Sequence, residues 1–312
     1  EVVGSLDDGT RVVIEPVLGH EARGFPPPFD GAAPGDGDDY AHLVTSGRGV
    51  DLEPGIQTGF CCSTSGGWAP VFVAHESQLH PIDDSVPDER AVLVEPLAGG
   101  IHAALLTWPS IAAASRPVVA VLGAGTMGLA AVAGLRRYIP DVRIIVGARY
   151  PYQQATARRL GADEAVSPSE LPRAVRRLVG CHVVGGNLTS GAHATIDAVG
   201  TSESVAECLR ITRPRGRVVL LGMPAEVSLD LTGLWHRETE LKGAYTYGTE
   251  TMPDGSRVRT FDLAIATANE IGAERLLSAT YRLADHVDAI AHAASAGRRG
   301  ATKIAFDLRE GN

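Results

Sequence analysis

From residue 117 onward two textures alternate, and this alternation constrains the fold more than any other feature. Short apolar runs, "PVVAVL" (117–122), "VRIIV" (142–146), "ATIDAV" (194–199), "RVVLLG" (217–222) and "LKGAYTY" (241–247), have the composition of buried strands. Between them stand segments with helical spacing: "TMGLAAVAGLRRY", "PYQQATARRL", "LPRAVRRLV" and "SESVAECLRI". Pro151 suits a first helical turn, and Gly161 suits the position just past a helix end. Strands that alternate with helices predict a parallel sheet covered on both faces. Right-handed crossovers then make an α/β, doubly wound fold of Rossmann type.

The stretch "VLGAGTMGLA" (121–130) sits at the first strand-to-helix junction of that pattern. Gly123, Gly125 and Gly128 have the spacing G-x-G-x-x-G, with Thr126 and Met127 opening the helix. Gly123 is expected to make the tight turn, Gly125 to let backbone approach a pyrophosphate, and Gly128 to let helix and strand pack closely. The helix N-terminus offers N–H groups and a positive dipole end to phosphates. An ordinary strand-to-helix turn is the alternative, and the surrounding βαβ pattern favours a dinucleotide.

The second strand indicates which one. An NAD site wants an Asp or Glu at its end, on the adenosine ribose. Here the strand runs into Gly147, Ala148 and Arg149, and the nearby acid, Asp141, precedes it. Small residues leave room for a 2′-phosphate that Arg149 can pair with. NADP is therefore expected over NAD, the alternative being a solvated surface arginine. Tyr150 is a weaker candidate for stacking on adenine, since a loop tyrosine is more often simply packed.

Upstream the texture differs. "RVVIEPVLG" (11–19) and "PVFVAHESQLHPI" (70–82) read as strands, and "GFPPPFDGAAPGDGDDYAH" (24–42) as a long mobile surface loop. "ERAVLVEPLAGGIHAALLTW" has helical spacing. Helices are expected near 260–272 and 284–296, then a strand at "TKIAFDL". Length and composition bound the rest: 312 residues suggest two domains, and a net charge of −9 with no long basic run argues against nucleic acid and anionic membranes. No unbroken run of about 18 apolar residues predicts a bilayer span, and no signal peptide is recognisable. Four cysteines without metal spacing suit a reduced, cytoplasmic protein. The chain opens on Glu1 inside a strand-like stretch, so an upstream segment is expected.

Taken together, "RVVIEPVLG", "GIQTGF…GGWAPVFVAHESQLHPIDD", "VLVEPLAGGIHAAL", "VLGAGTMGL", "ARRLGADEAV", "IDAVG", "GRVVLLG" and "ATKIAFDL" resemble, in order, the medium-chain dehydrogenase/reductase family. The resemblance is to its zinc-dependent alcohol and polyol dehydrogenases, with the flavour of sorbitol and threonine dehydrogenases. It implies a Rossmann domain inserted into a β-rich, GroES-like catalytic domain, drawn here as 1–95, 96–265 and a returning segment, 266–312. It also implies hydride transfer between a nicotinamide and an alcohol or carbonyl substrate, catalytic zinc, and a homodimer or homotetramer. By that likeness, Val199 and Gly200 stand beside the cofactor, Leu221, Gly222 and Met223 near the nicotinamide, and Glu95 at the catalytic metal. A structural role for Glu95, capping a helix or pairing with an arginine, is the alternative.

The chain also departs from the family. The first zinc ligands would lie upstream of Glu1, and "GHEA" (19–22) follows the stretch that should come after them, so His20 and Glu21 are not assigned. The lobe with four zinc-binding cysteines has none in residues 20–42. His20, Asp36, Asp38, Asp39 and His42 make no obvious replacement, and no structural zinc is expected. His75, His80 and His102 read as structural, His236 as a subunit-edge residue, Trp68 as core or interface, and Cys61 and Cys62 as packed thiols. Two rivals remain: a zinc-free enone or quinone reductase of the same fold, and a nucleotide-binding homologue that has lost its chemistry.

Overall fold

The computed structural model describes residues 1–39, 55–71 and 73–309. His42 and Phe72 lie outside the described residues. The chain forms two compact units. One comprises Glu1–Ala98, Thr246–Glu250 and Arg257–Asn312, and the other Gly99–Tyr245 and Thr251–Ser256.

In the first unit, β1 (Val3–Ser5), β2 (Arg11–Ile14) and β3 (Leu79–Pro81) form an antiparallel sheet with β2 central. Val12, Val13 and Ile14 are buried, as apolar residues of a central strand should be. The strand expected across 70–82 is shorter. His75 accepts the Ser77 N–H at 3.2 Å and caps a 3₁₀ turn, Glu76–Gln78, ahead of β3. Later in the unit, strands Leu277–Tyr281 and Lys303–Phe306 pair in parallel, beside helices Thr260–Ile271 and His286–Ala294. Residues 257–265, grouped above with the sheet domain, lie in this unit. Phe261 is fully buried there, stacked on His80 at 4.5 Å and edge-on to Tyr247 at 5.0 Å.

Charge holds the unit's Pro/Gly-rich segment. The buried Glu15 carboxylate accepts Arg259 Nη2 at 2.6 Å and faces His80 Nε2 at 2.6 Å. Arg259 also reaches the Pro34 carbonyl at 2.7 Å and Asp36 Oδ1 at 3.3 Å. The fully buried Asp39 accepts the backbone N–H groups of Gly35 at 2.8 Å and His20 at 3.0 Å. The segment is thus pinned at 34–39 rather than a free surface loop, because buried carboxylates need donors and this backbone supplies them.

The second unit carries a six-stranded parallel sheet. Its strands are β4 (Val118–Leu122), β5 (Arg143–Gly147), β6 (Glu164–Val166), β7 (Ala192–Asp197), β8 (Thr212–Leu220) and β9 (Glu240–Gly243). Their spatial order is β9-β8-β7-β4-β5-β6, with every neighbour parallel. Read from the other edge this is the doubly wound order 3-2-1-4-5-6. Helices α1 (Thr126–Tyr138), α2 (Pro151–Arg159), α3 (Leu171–Val179) and α4 (Ser202–Ile211) form the crossovers. Every residue of β4 is buried, which is why that strand reads as an unbroken apolar run. The order reverses between β4 and β7, and a crevice opens at the carboxyl ends there.

One helical run, Asp88–Ile111, is long and apolar enough to cross a membrane by length and composition. This corrects the expectation drawn from unbroken runs, which Glu95, Gly99, Gly100 and His102 interrupt without lowering the average enough. Of its apolar window, 72% is buried inside the protein, as for a core helix.

Candidate dinucleotide site

A cavity of about 610 Å³ lies at this crevice, within the range of small-molecule sites. Its walls come from four strand ends. Gly123, Ala124 and Gly125 follow β4; Gly147, Arg149 and Tyr150 close β5; Pro168 and Ser169 follow β6; and Ala198, Val199 and Thr201 follow β7. Helix α4 adds Glu203, Ser204, Glu207 and Arg210, which recur at helical spacing.

The glycine loop divides its tasks. Gly123 has φ +100°, and a Cβ there would stand 2.8 Å from Val199 Cγ2. A Cβ on Gly128 would overlap the Gly123 carbonyl oxygen, so this glycine lets α1 close onto the loop itself, with Ala198 Cβ at 3.3 Å. Gly125 differs, for a Cβ there would meet nothing within 4 Å. It borders open space on the cavity side, where a ligand's phosphates have room. It is also the N-cap of α1 and has no side chain to cap with. By contrast, Thr201 caps α4 and accepts Ser204 N–H at 3.2 Å. An uncapped helix of 13 residues opening on a cavity fits an anionic ligand.

Arg149 is exposed on the cavity wall, and among the described residues it has no ion-pair partner. Arg210, on the same cavity, is held by Glu207 through Nη2–Oε1 at 2.8 Å and Nε–Oε2 at 3.0 Å. Arg149 is thus the cation with its charge unspent. Asp141 adopts φ +52° in the turn before β5 and does not line the cavity. Tyr150 lines the wall with its ring parallel to Tyr152, centroids 6.0 Å apart.

The cavity thus gathers Gly123, Gly125, Gly147, Arg149, Tyr150 and Val199 from the residues singled out in the sequence. Thr126, Met127, Gly128, Gly200, Leu221, Gly222 and Met223 stand behind or beside it and do not form its wall. Met223 is 72% exposed and holds φ +57°, which is uncommon for a residue with a side chain. Sequence reasoning missed Gln153, Ser169 and Pro172, which only the strand order brings in, and the α4 face, which its period of 3.6 could have shown.

Glu95 lies in the first unit, in helix Val94–Leu105, and does not line this cavity. Its Oε1 accepts the Tyr247 hydroxyl at 2.9 Å. Burial raises the Glu95 carboxyl above the usual range, and the Glu1 carboxylate adds to the effect. Burial likewise pushes the Tyr247 phenol well up, reinforced by the Glu95 charge. Tyr247 sat unremarked in "AYTYG". Among the described residues no group of three or more His, Cys, Asp or Glu side chains is placed to hold a metal. Glu95 by itself does not make the zinc shell that the family resemblance implies.

The remaining residues are placed as follows. Cys61 is buried and Cys62 exposed. Trp68 is 58% exposed and edge-on to Phe306 at 4.9 Å, so it is not core. His20 is buried against Asp39, its Nδ1 3.0 Å from Oδ1.

Comparison with known proteins agrees with this geometry. Residues 126–260 match the model of the zinc-binding dehydrogenase family. Sorbitol dehydrogenase of Gallus gallus is 28% identical over 265 residues, covering 77% of this chain and 68% of that protein. Sorbitol dehydrogenase of Arabidopsis thaliana is 28% identical over 319 residues, covering 95% and 81%. Among solved structures, one described as a zinc-binding dehydrogenase from Sinorhizobium meliloti bound to NADP superposes with a TM-score of 0.61. It is 20% identical and covers 90% of this chain and 72% of that one.

Proposed function

We propose that this chain belongs to the zinc-type branch of the medium-chain dehydrogenase/reductase family, as its match to the zinc-binding dehydrogenase model and its likeness to sorbitol dehydrogenases support, and that it is an NADP-dependent oxidoreductase acting on a small alcohol or carbonyl substrate. The observation that carries this reading is the cavity at the β4/β7 switch point, with an uncapped glycine-loop helix on one side and Arg149 on the other. In this reading Gly123, Gly125 and the first N–H groups of α1 hold the pyrophosphate, and Arg149 pairs with the 2′-phosphate. Val199 packs over the loop, and Leu221, Gly222 and Met223 line the path toward the nicotinamide end. The nicotinamide, when bound, supplies or accepts the hydride. The structure of the Sinorhizobium relative with NADP supports the choice of nucleotide.

The metal is a separate proposal. Zinc would act as a Lewis acid on the substrate oxygen. Glu95 is the metal-side carboxylate that the family likeness assigns to this chain, and a zinc shell would need further ligands beside it. A zinc-free reductase of the same fold stands as the second reading, favoured by the fact that Glu95 is engaged by Tyr247. We further propose a reducing, cytoplasmic setting, in keeping with four free thiols, and a homo-oligomer. The edge strand β9, exposed along all four residues and bordered by the 70% exposed Trp235, supports the latter.

A NADPH and NADH fluorescence titration, run beside metal analysis of the purified protein, tests these readings. Tight NADPH binding with one zinc per chain, followed by turnover on an alcohol panel, supports the dehydrogenase. NADPH binding without zinc supports the zinc-free reductase, and no binding of either nucleotide refutes both.

A further inference from the structure

We infer that Asp197 is the positioning residue of the nucleotide cavity, fixing the turn Ala198–Gly200 as a wall over the glycine loop through its carboxylate. This rests on the reading that the cavity takes a dinucleotide.

Asp197 is the last residue of β7 and is wholly buried. A buried carboxylate needs either a counter-ion or several donors. Among the described residues no lysine or arginine pairs with it. Its charge is met by donors instead. Oδ1 accepts Val199 N–H at 3.0 Å and Gly200 N–H at 3.2 Å, and Oδ2 accepts the Ser204 hydroxyl at 3.1 Å and Gly200 N–H at 3.2 Å. Two successive backbone amides aimed at one carboxylate form a nest, which fixes the turn that carries them. The same residue's carbonyl accepts Leu221 N–H at 2.9 Å and Gly222 N–H at 2.8 Å. One residue therefore ties the β7 turn to the end of β8. The next residue completes the link to β4, Ala198 N–H donating to the Leu122 carbonyl at 2.9 Å.

The turn so held matters because of what it touches. Val199 is 46% exposed, yet its Cγ2 lies where a Cβ on Gly123 would sit 2.8 Å away. Gly200 has φ +81°, and a Cβ there would overlap the Gly222 carbonyl. The turn has no slack on either side. If the carboxylate lets go, Val199 can swing over the glycine loop or away from it, and either movement changes the seat of the ligand. The wall is common to both nicotinamide dinucleotides, so its loss should affect them alike. Arg149 acts on the 2′-phosphate alone, and the two roles separate by that criterion.

The test compares Asp197→Asn and Ser204→Ala with the unaltered protein. NADPH and NADH dissociation constants are read by fluorescence, and amide hydrogen exchange is followed at 198–200 and in β4. In Asp197→Asn the charge that meets these N–H groups is lost, and one acceptor oxygen becomes an amide donor, which at the Oδ2 place faces Gly200 N–H and the Ser204 hydroxyl. Both nucleotides should then bind about tenfold more weakly, by the same factor, as expected for an unsatisfied buried donor. Exchange should rise at Val199 and Gly200 while β4 stays protected. A purely structural role would raise exchange across the sheet, and that result overturns the inference, as does unchanged affinity for both nucleotides. Should Asp197→Asn not fold, Ser204→Ala keeps the carboxylate and removes one donor. Weaker binding of both nucleotides by about threefold supports the inference, and unaltered affinity overturns it. Failure of the unaltered protein to bind either nucleotide would refute the dinucleotide reading itself, and this inference with it.

Discussion

At the scale of single residues, the glycine loop makes opposite demands at two positions, and substitution should show them apart. Gly125→Val places its side chain in open cavity space, so the melting temperature should hardly move while nucleotide binding is lost. Gly128→Ala drives a Cβ into the Gly123 carbonyl and should cost about 1–3 kcal/mol of stability, the usual range for overpacking. A thermal melt beside a NADPH titration reads both, and a large stability loss in Gly125→Val would refute the open-seat assignment. Arg149→Ala should weaken NADPH by about 10- to 100-fold, the worth of a charge-assisted pair, and leave NADH nearly unchanged. Equal loss of both would remove the 2′-phosphate role. That Gly123, Gly125 and Arg149 border one cavity was legible because turn geometry and strand-end position are written in local order. Asp197 was not, although it stands inside the quoted "IDAVG". Its task depends on amides of the turn and on the end of β8, twenty-four residues onward, which no local pattern reveals.

At the scale of elements, legibility follows length and capping. The boundaries of α1, α3 and α4 match the helical segments read from sequence, residue for residue. Thr201 marks the start of α4, and Gly180, with φ +67°, marks the end of α3. The β-rich unit was read less well, because strands of three or four residues carry little periodic signal and the 34–39 stretch takes its shape from distant charges. Arg259, far along the chain, binds Glu15, Asp36 and the Pro34 carbonyl at once. Arg259→Met should therefore leave Glu15 facing only His80 and destabilise this unit by about 3–5 kcal/mol, the cost of breaking a buried pair. Chemical denaturation followed by the fluorescence of Trp68, which sits in that unit, would register an earlier transition; an unshifted midpoint would mean that the network is not stabilising. Thr201→Ala removes the α4 cap and should cost about 1 kcal/mol, read as a small drop in melting temperature.

At the scale of the whole molecule, the two compact units make different claims on a ligand. Every residue lining the cavity belongs to the sheet unit, from Leu122 to Arg210. A ligand that binds only the folded form stabilises by the logarithm of its saturation, about 2.7 kcal/mol at a hundredfold excess over the dissociation constant. That stabilisation should enter first where the contacts are. With NADPH at saturation, amide exchange should slow most at 122–125, 147–153 and 198–204, with the sheet strands protected behind them. The antiparallel β1–β3 sheet makes no part of the cavity wall and should respond less. With NADH, which lacks the 2′-phosphate, in place of NADPH, protection should persist at 122–125 and weaken at 147–153, and Arg149→Ala should leave the NADH pattern as it is in the unaltered protein. Protection equally strong in β2 and β4 would mean that the nucleotide acts through more than this cavity, and the assignment of the site to the sheet unit would have to be given up.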